Sequence, residues 1–273
     1  MTPLFEFRLR PLPEIIQGWE AINFDVPQYL SGWFWLTYGW YWLATPQGDI
    51  PTGHPDFEKA FGLEPSPDPH LDYQIARFWQ DLMDVSHDAL EPLPEPFAGW
   101  VDSGSWETWW KQVNEWWRST PEDDPLTHDR WDDWYEAGSW WSARHLDMDY
   151  LKAPPVIRFW RVGDEMIVVW DTREKRVDGV LCWVESQGRL NLSVGQFQQE
   201  LENFRERLSA AMRERLAEVE KLGVLDAAKL ASLHRQHVAS IEEEGQPGDK
   251  VDWSNTLSAI RKLEQWSGVL LPR

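Results

Sequence analysis

The stretch from Trp33 to Leu43 constrains this chain more than any other. It holds four tryptophans, two tyrosines, one phenylalanine and no charge. Any fold that contains it must keep most of that surface from water. Read at period two, both faces are apolar, which suits a strand covered on both sides. Gly39 interrupts the run and predicts a bulge, a tight bend or a close backbone approach. The run is too short to span a bilayer, and no basic flank precedes it. We therefore expect it at the thickest part of the core, as a core element and not a ligand platform.

The neighbouring segments supply partners. Leu4 to Arg10 alternates, with Phe5, Phe7 and Leu9 on one face and Glu6, Arg8 and Arg10 on the other, and reads as a strand ended by Pro11 and Pro13. Residues 45–70 read as loop with one helical turn near Phe57 to Phe61. Helical spacing predicts a helix over Leu71 to Leu90, with Leu71, Ile75, Phe78, Trp79, Leu82 and Met83 on its apolar face and Asp72, Gln80, Asp81 and Asp84 elsewhere. A second helix is predicted over Ser105 to Arg118, capped by Ser105 and striped with tryptophan. A third runs from about Thr127 or His128 to His145, with Gly138 allowing close approach. Both are expected to pack on Trp33 to Leu43. Val156 to Val162 and Met166 to Asp171 flank a hairpin signal at Gly163, and Val180 to Glu185 and Arg189 to Val194 flank another at Ser186 to Gly188. A helix over Gln196 to Leu222, one capped by Asp226, and one from about Trp253 to Trp266 complete the chain. The fold class expected is α+β: an antiparallel sheet of the N-terminal strands plus a 156–194 meander, covered by Trp-rich helices, with a C-terminal helical segment. We read 1–273 as a single integrated domain, with sub-regions 1–150 (acidic and Trp-rich), 151–194 (meander) and 195–273 (helical).

Charge is distributed unevenly. Residues 1–150 hold 27 Asp+Glu against 8 Lys+Arg, and residues 151–273 hold 19 against 18. The net charge of −20 therefore belongs almost wholly to the first part. Such a field disfavours nucleic acid and anionic membranes and favours a basic partner. Sixteen of the 21 tryptophans also lie at or before Trp141. The single Cys182 excludes a disulfide framework within the chain and a cysteine-built zinc site. No apolar export segment opens the sequence, so a cytoplasmic location is expected.

Two parts of the sequence look familiar. Phe5 to Leu12 (FEFRLRPL) followed by Trp33 to Trp42 (WFWLTYGWYW), then Arg144 to Leu151 (RHLDMDYL), Ile157 to Asp164 (IRFWRVGD) and Trp170, resembles an uncharacterised, largely actinobacterial domain-of-unknown-function family. The resemblance covers most of the chain and implies one integrated domain. It implies no activity and no catalytic residues.

Motifs for chemistry are few. There is no G-x-S-x-G elbow, phosphate-binding loop or dinucleotide-binding turn, and no catalytic residue, metal site or cofactor is expected. Arg144, His145, Asp147 and Asp149 form a possible functional cluster, an imidazole and two carboxylates within five residues. Its plain reading is structural, with Arg144 and Asp147 paired at a helix end. His234 and His237 stand three apart on a helix, and we read both as partly exposed. The densest acidic patch is Asp123, Asp124, Asp129, Asp132, Asp133 and Glu136, interleaved with Trp131 and Trp134. Its plain reading is a solvated helix face. The sharper reading is a partner-binding surface, carboxylates against Lys and Arg with an aromatic anchor between them. The leading functional expectation is thus an immunity-protein-like inhibitor of a basic protein, such as a nuclease-type toxin, with no role for nucleic acid or membrane. The alternative is an enzyme or a sugar- or nucleobase-binding protein with a Trp-lined cleft. A strongly perturbed carboxylate inside an aromatic pocket would favour that alternative.

Overall fold

Gly39 is where the aromatic stretch changes structure. In the computed structural model, which describes residues 3–64, 66–120, 127–243 and 250–271, a side chain at Gly39 would collide with the backbone carbonyl oxygen of Arg8. The close approach is real: this glycine lets the strand Tyr38–Thr45 lie against the strand Phe5–Leu9. In chain order the first elements are β1 (Phe5–Leu9), α1 (Leu12–Ala21), α2 (Val26–Leu30), α3 (Trp33–Leu36), β2 (Tyr38–Thr45) and β3 (Gly48–Ile50). Next come α4 (Phe57–Ala60), β4 (Leu71–Gln74), α5 (Ile75–Leu90), α6 (Phe97–Asp102), α7 (Ser105–Ser119) and α8 (Thr127–Ser142). The remainder is β5 (Val156–Val162), β6 (Glu165–Asp171), β7 (Arg176–Val177), β8 (Val180–Leu181), β9 (Gln187–Ser193), α9 (Val194–Leu222), α10 (Ala227–Glu243) and α11 (Trp253–Ser267).

The stretch Trp33 to Leu43 is therefore not one strand. Its first four residues form the helical turn α3, because Thr37 has another task. The buried Thr37 hydroxyl donates to the Phe34 carbonyl at 2.8 Å and accepts from the Ala76 N–H at 3.2 Å. The Thr37 carbonyl accepts from the Ile75 N–H at 3.0 Å. Two orphan donors at the start of α5 are thereby satisfied. The turn also places Trp33 and Leu36, three residues apart, together in the core. The helix predicted from Leu71 begins four residues later for a related reason. Leu71 to Gln74 is recruited as β4 to an edge of β2, with Tyr38 opposite Gln74 and Tyr41 opposite Leu71, and satisfies backbone groups that a bare edge would leave unpaired.

The first sheet pairs β1, β3 and β4 antiparallel with β2. The second is the antiparallel order β5-β6-β9. The second predicted hairpin does not form. Gln187 to Ser193 pairs with β6 instead, with Gly188 opposite Trp170, and a side chain at Gly188 would collide with the Trp170 ring. Val180 and Leu181 form only a two-residue ladder with β7. The fold is α+β, as expected from the sequence.

The β5-β6 sheet is apolar on both faces. Ile157, Phe159, Met166 and Val168 face a first core with Phe5, Tyr41, Phe78, Phe197 and Phe204. There, Phe5 lies 6.0–6.5 Å, centroid to centroid, from the rings of Phe78, Phe159, Phe197 and Phe204. Trp160 and Ile167 point the other way into a second core with Trp106, Trp109, Trp140 and Trp141. The expectation that α7 and α8 pack on Trp33 to Leu43 is thus corrected. They cover the outer face of β5-β6 together with α11, while α5 packs on β2, with Phe78 stacked on Tyr41 at 4.2 Å. Burial of this aromatic surface, about 25 cal/mol per Å², drives both layers. Ser193 caps α9 in a full capping box with Gln196, and Asp226 accepts from the Lys229 N–H at 2.7 Å. Ser105, expected as an N-cap, is instead the first residue of α7, behind a left-handed Gly104. Among the described residues no helix is long and apolar enough to cross a membrane.

Candidate functional site

A cleft of about 580 Å³ opens where α3, β4, α5 and the loop after α8 meet, lined by Trp35, Tyr73, Arg77, Asp147, Asp149 and Tyr150 among others. Each element contributes for a local reason. The α3 turn buries Trp33 and Leu36 and leaves Trp35 half-buried at the rim. Leu71 and Tyr73 share one face of β4; Leu71 is buried in the core, while Tyr73, nearer the end of the strand, stays half-buried and stacks on Tyr150 at 4.4 Å with rings 12° apart. The loop is shaped by an Asx turn, in which Asp147 accepts the Asp149 N–H at 2.9 Å.

Beneath the cleft lies Asp81, only 2 % exposed. Neither of its oxygens makes a hydrogen bond of good geometry, although Arg77 Nε stands 2.9 Å away as an ion-pair partner. Arg77 also reaches toward Asp147 at 3.7 Å and lies over the Tyr150 ring at 5.8 Å. Burial pushes the Asp81 carboxyl up to about 7; the Arg77 guanidinium opposes the shift and the charge of Asp147 adds to it. Tyr150 is raised well above its ordinary value by burial and by the charge of Asp81. Its hydroxyl lies 2.5 Å from that of Tyr41, which burial raises in the same direction. The arrangement is a proton-holding carboxyl, two tyrosine hydroxyls and a shared guanidinium beneath an aromatic mouth carrying two exposed carboxylates.

The predicted cluster is divided. Asp147 and Asp149 reach the cleft. Arg144 does not: it is fully buried, donates to the Trp140 carbonyl at 2.9 Å, lies 3.5 Å from a Glu91 carboxylate oxygen and stacks over Trp253 at 5.4 Å. The expected Arg144–Asp147 pair is therefore corrected; Asp147 faces Arg77. His145 pairs its backbone with Arg158, and burial, with the nearby Arg158 charge second, pushes its imidazole down to about 4. His237, expected to be partly exposed, is fully buried edge-on to Trp33 at 4.5 Å and is likewise lowered to about 4 by burial.

The predicted acidic surface is only partly open. Asp123 and Asp124 lie outside the described residues, as does the side chain of Asp129. Asp133 accepts from Lys262 Nζ at 2.8 and 3.0 Å, and Glu136 accepts from Thr256 Oγ1 at 2.8 Å, so both hold α11 against α8. Trp134 is half-buried, donates to Asn114 at 2.9 Å and stacks between Trp110 and Trp117. What remains outward is Asp132 beside Trp131 and Tyr135, 45 % and 57 % exposed, their rings stacked at 5.3 Å.

Sequence reasoning missed Asp81, Arg77, Tyr41, Tyr73 and Tyr150 as a unit. A signal existed: Asp81 lies three residues after Phe78 and four after Arg77, which puts a carboxylate on the buried face of α5 beside a cation. The fold and cleft define an α+β protein with two aromatic cores and a buried titratable carboxyl under an open aromatic site. The chain belongs to the family of unknown function DUF5984, whose model matches residues 4–259. No curated protein and no solved structure matches it.

Proposed function

We propose that this protein binds a small, ring-bearing polar ligand, a sugar or a nucleobase, in the cleft above Asp81. The observation that carries this reading is the buried carboxyl of Asp81, ion-paired to the Arg77 that lines the aromatic mouth. Flat faces of the ligand stack on Trp35 and Tyr73, and its hydroxyl or amino hydrogens meet Asp147 and Asp149. Asp81 sets how much of the Arg77 charge is available. When Asp81 holds its proton, the guanidinium is left to Asp147 and the ligand; when it ionises, the charge is shared inward. Ligand-observed NMR of a monosaccharide and nucleoside panel at pH 6 and pH 8 tests this. At least one member is expected to bind, to be lost in Tyr73→Ala, and to change affinity between the two pH values in the wild type but not in Asp81→Asn. A panel with no binder, or a binder indifferent to Tyr73→Ala, removes the reading.

A second reading rests on the exposed Trp131–Tyr135 pair. On an acidic helix face it suits a basic protein partner, as an inhibitor of the immunity-protein type would need. The carboxylate available there is Asp132, with the acidity of residues 1–150 as the long-range field. A low-salt pull-down against a nuclease-type toxin, repeated with Trp131→Ala and Tyr135→Ala combined, separates the two. Retention lost in the double variant and at high salt supports this reading. Retention unaffected by both, or no toxin retained, sinks it.

A further inference from the structure

Apart from the Asp81 cleft, a second cavity of about 570 Å³ is walled by Phe57, Leu71, Leu151, Cys182 and Trp183. Main-chain bonds preform it: Gly53 N–H donates to Pro69 O at 2.6 Å, His54 N–H to Cys182 O at 2.9 Å, and Val184 N–H to Thr52 O at 2.8 Å. The Trp183 indole N–H is anchored on the Ala153 carbonyl at 2.8 Å, which fixes that ring in the wall.

The polar groups around this cavity are unequally satisfied. Asp68 is buried and ion-paired to Arg8, and its carboxylate meets His70 Nδ1 at 2.5 Å. The other ring nitrogen of His70 lies 3.0 Å from Asp49, and the ring stacks on Trp42 at 3.9 Å. Asp72 is paired with Arg10, and Glu58 accepts the Ser66 N–H at 2.8 Å. Asp68 and Asp72 are thus charge-paired within the protein, while Glu58 accepts a backbone N–H. Two nitrogen donors in the wall are not charge-paired among the described residues. Lys152 is exposed and has no ion-pair partner among the described residues. His54 accepts the Asp56 N–H on Nδ1 at 3.2 Å, which leaves Nε2 as the outward N–H donor.

We infer that this cavity is a binding site for a small carboxylic acid with an apolar body, its carboxylate held by Lys152 and His54 and its body against Leu71, Cys182 and Trp183. The volume falls within the range of small-molecule pockets. An apolar body removes wall surface from water, and a carboxylate supplies the counter-charge that the Lys152 ammonium lacks. A neutral ligand would forgo the second contribution, and a cation would meet Lys152 directly. This site is independent of the Asp81 cleft.

The experiment uses the full chain and three matched probes: 4-phenylbutyrate, its amide and 4-phenylbutylamine. Affinity is measured by titration calorimetry, and location by the rate at which Cys182, the single cysteine, reacts with an uncharged methylating thiol reagent. The acid is expected to bind at least about tenfold more tightly than the amide, the amine not at all, and the acid alone to slow the reaction of Cys182. In Lys152→Gln, an exposed position whose change leaves the fold intact, the preference for acid over amide is expected to vanish. Equal binding of acid and amide, an acid affinity unchanged by Lys152→Gln, an unprotected Cys182, or no binding of any probe overturns the inference.

Discussion

Asp81 and His237 are both buried, yet they bias stability in opposite directions along the pH scale. The folded carboxyl of Asp81 is raised to about 7 from 3.8, so the native state keeps a proton that the unfolded chain releases. Its contribution is fully favourable below the unfolded value and is lost as pH rises toward 7, at a cost of up to about 4 kcal/mol. His145 and His237 are lowered to about 4 from 6.5. They bind protons only on unfolding, so stability is lost as pH falls from 6.5 toward 4. Urea unfolding across pH 4 to 8 is expected to separate the contributions. Asp81→Asn gains stability at pH 8 and becomes more acid-sensitive than the wild type; His237→Leu becomes less acid-sensitive. Parallel pH curves for all three proteins would contradict this. Arg215 is a residue of a different kind: buried, it donates to the Leu36 carbonyl at 3.1 Å and the Arg10 carbonyl at 2.7 Å. Arg215→Met leaves both carbonyls unpaired and is expected to cost about 2–3 kcal/mol in denaturant titrations. Its spacing, three residues after Met212 and four before Val219, places it on the buried face of α9, but its partners lie far away in the chain and no local signal names them.

At the scale of elements, legibility followed the range of the interactions. The Asp226 cap is made within four residues and was readable. The alternation of β1 was readable because one side-chain period records one buried face, and β5 and β6 were readable from the turn signal at Gly163 between them. The boundary between α3 and β2 was not, since it depends on Thr37 bonding to α5, almost forty residues on. Thr37→Val is expected to cost about 1–2 kcal/mol and to speed hydrogen exchange at the Ile75 and Ala76 amides above others in α5; uniform exchange across α5 would contradict the capping role. In α8, a side chain at Gly138 would collide with the Trp110 ring, which is stacked between Trp106 and Trp134 and cannot yield. Gly138→Ala is therefore expected to destabilise by about 1–3 kcal/mol in denaturant, despite the roughly 1 kcal/mol that helix propensity alone would add.

Across the whole molecule, the uneven charge and the two cores have separate consequences. A net charge of −20 concentrated in residues 1–150 repels itself in the folded state. Raising salt from about 20 mM to 0.5 M, which shortens the screening length from roughly 20 Å to a few Å, is expected to raise the melting temperature. A melting temperature that falls with salt would show that ion pairs such as Lys262–Asp133 outweigh the repulsion. The sequence by itself determined the α+β class, a large buried aromatic surface and the acidic first part, because each is carried by residue type or short-range spacing; at Gly39 it left a bulge, a bend or a close approach open. Only the tertiary structure decided that β5-β6, not Trp33 to Leu43, is the sheet with an aromatic core on each face. It alone decided that Asp133 and Glu136 hold α11, and that Asp81, Arg77, Asp147 and Tyr150 share one cleft. Those outcomes depend on which distant surfaces meet, and a side-chain period records that a face is buried without recording what buries it.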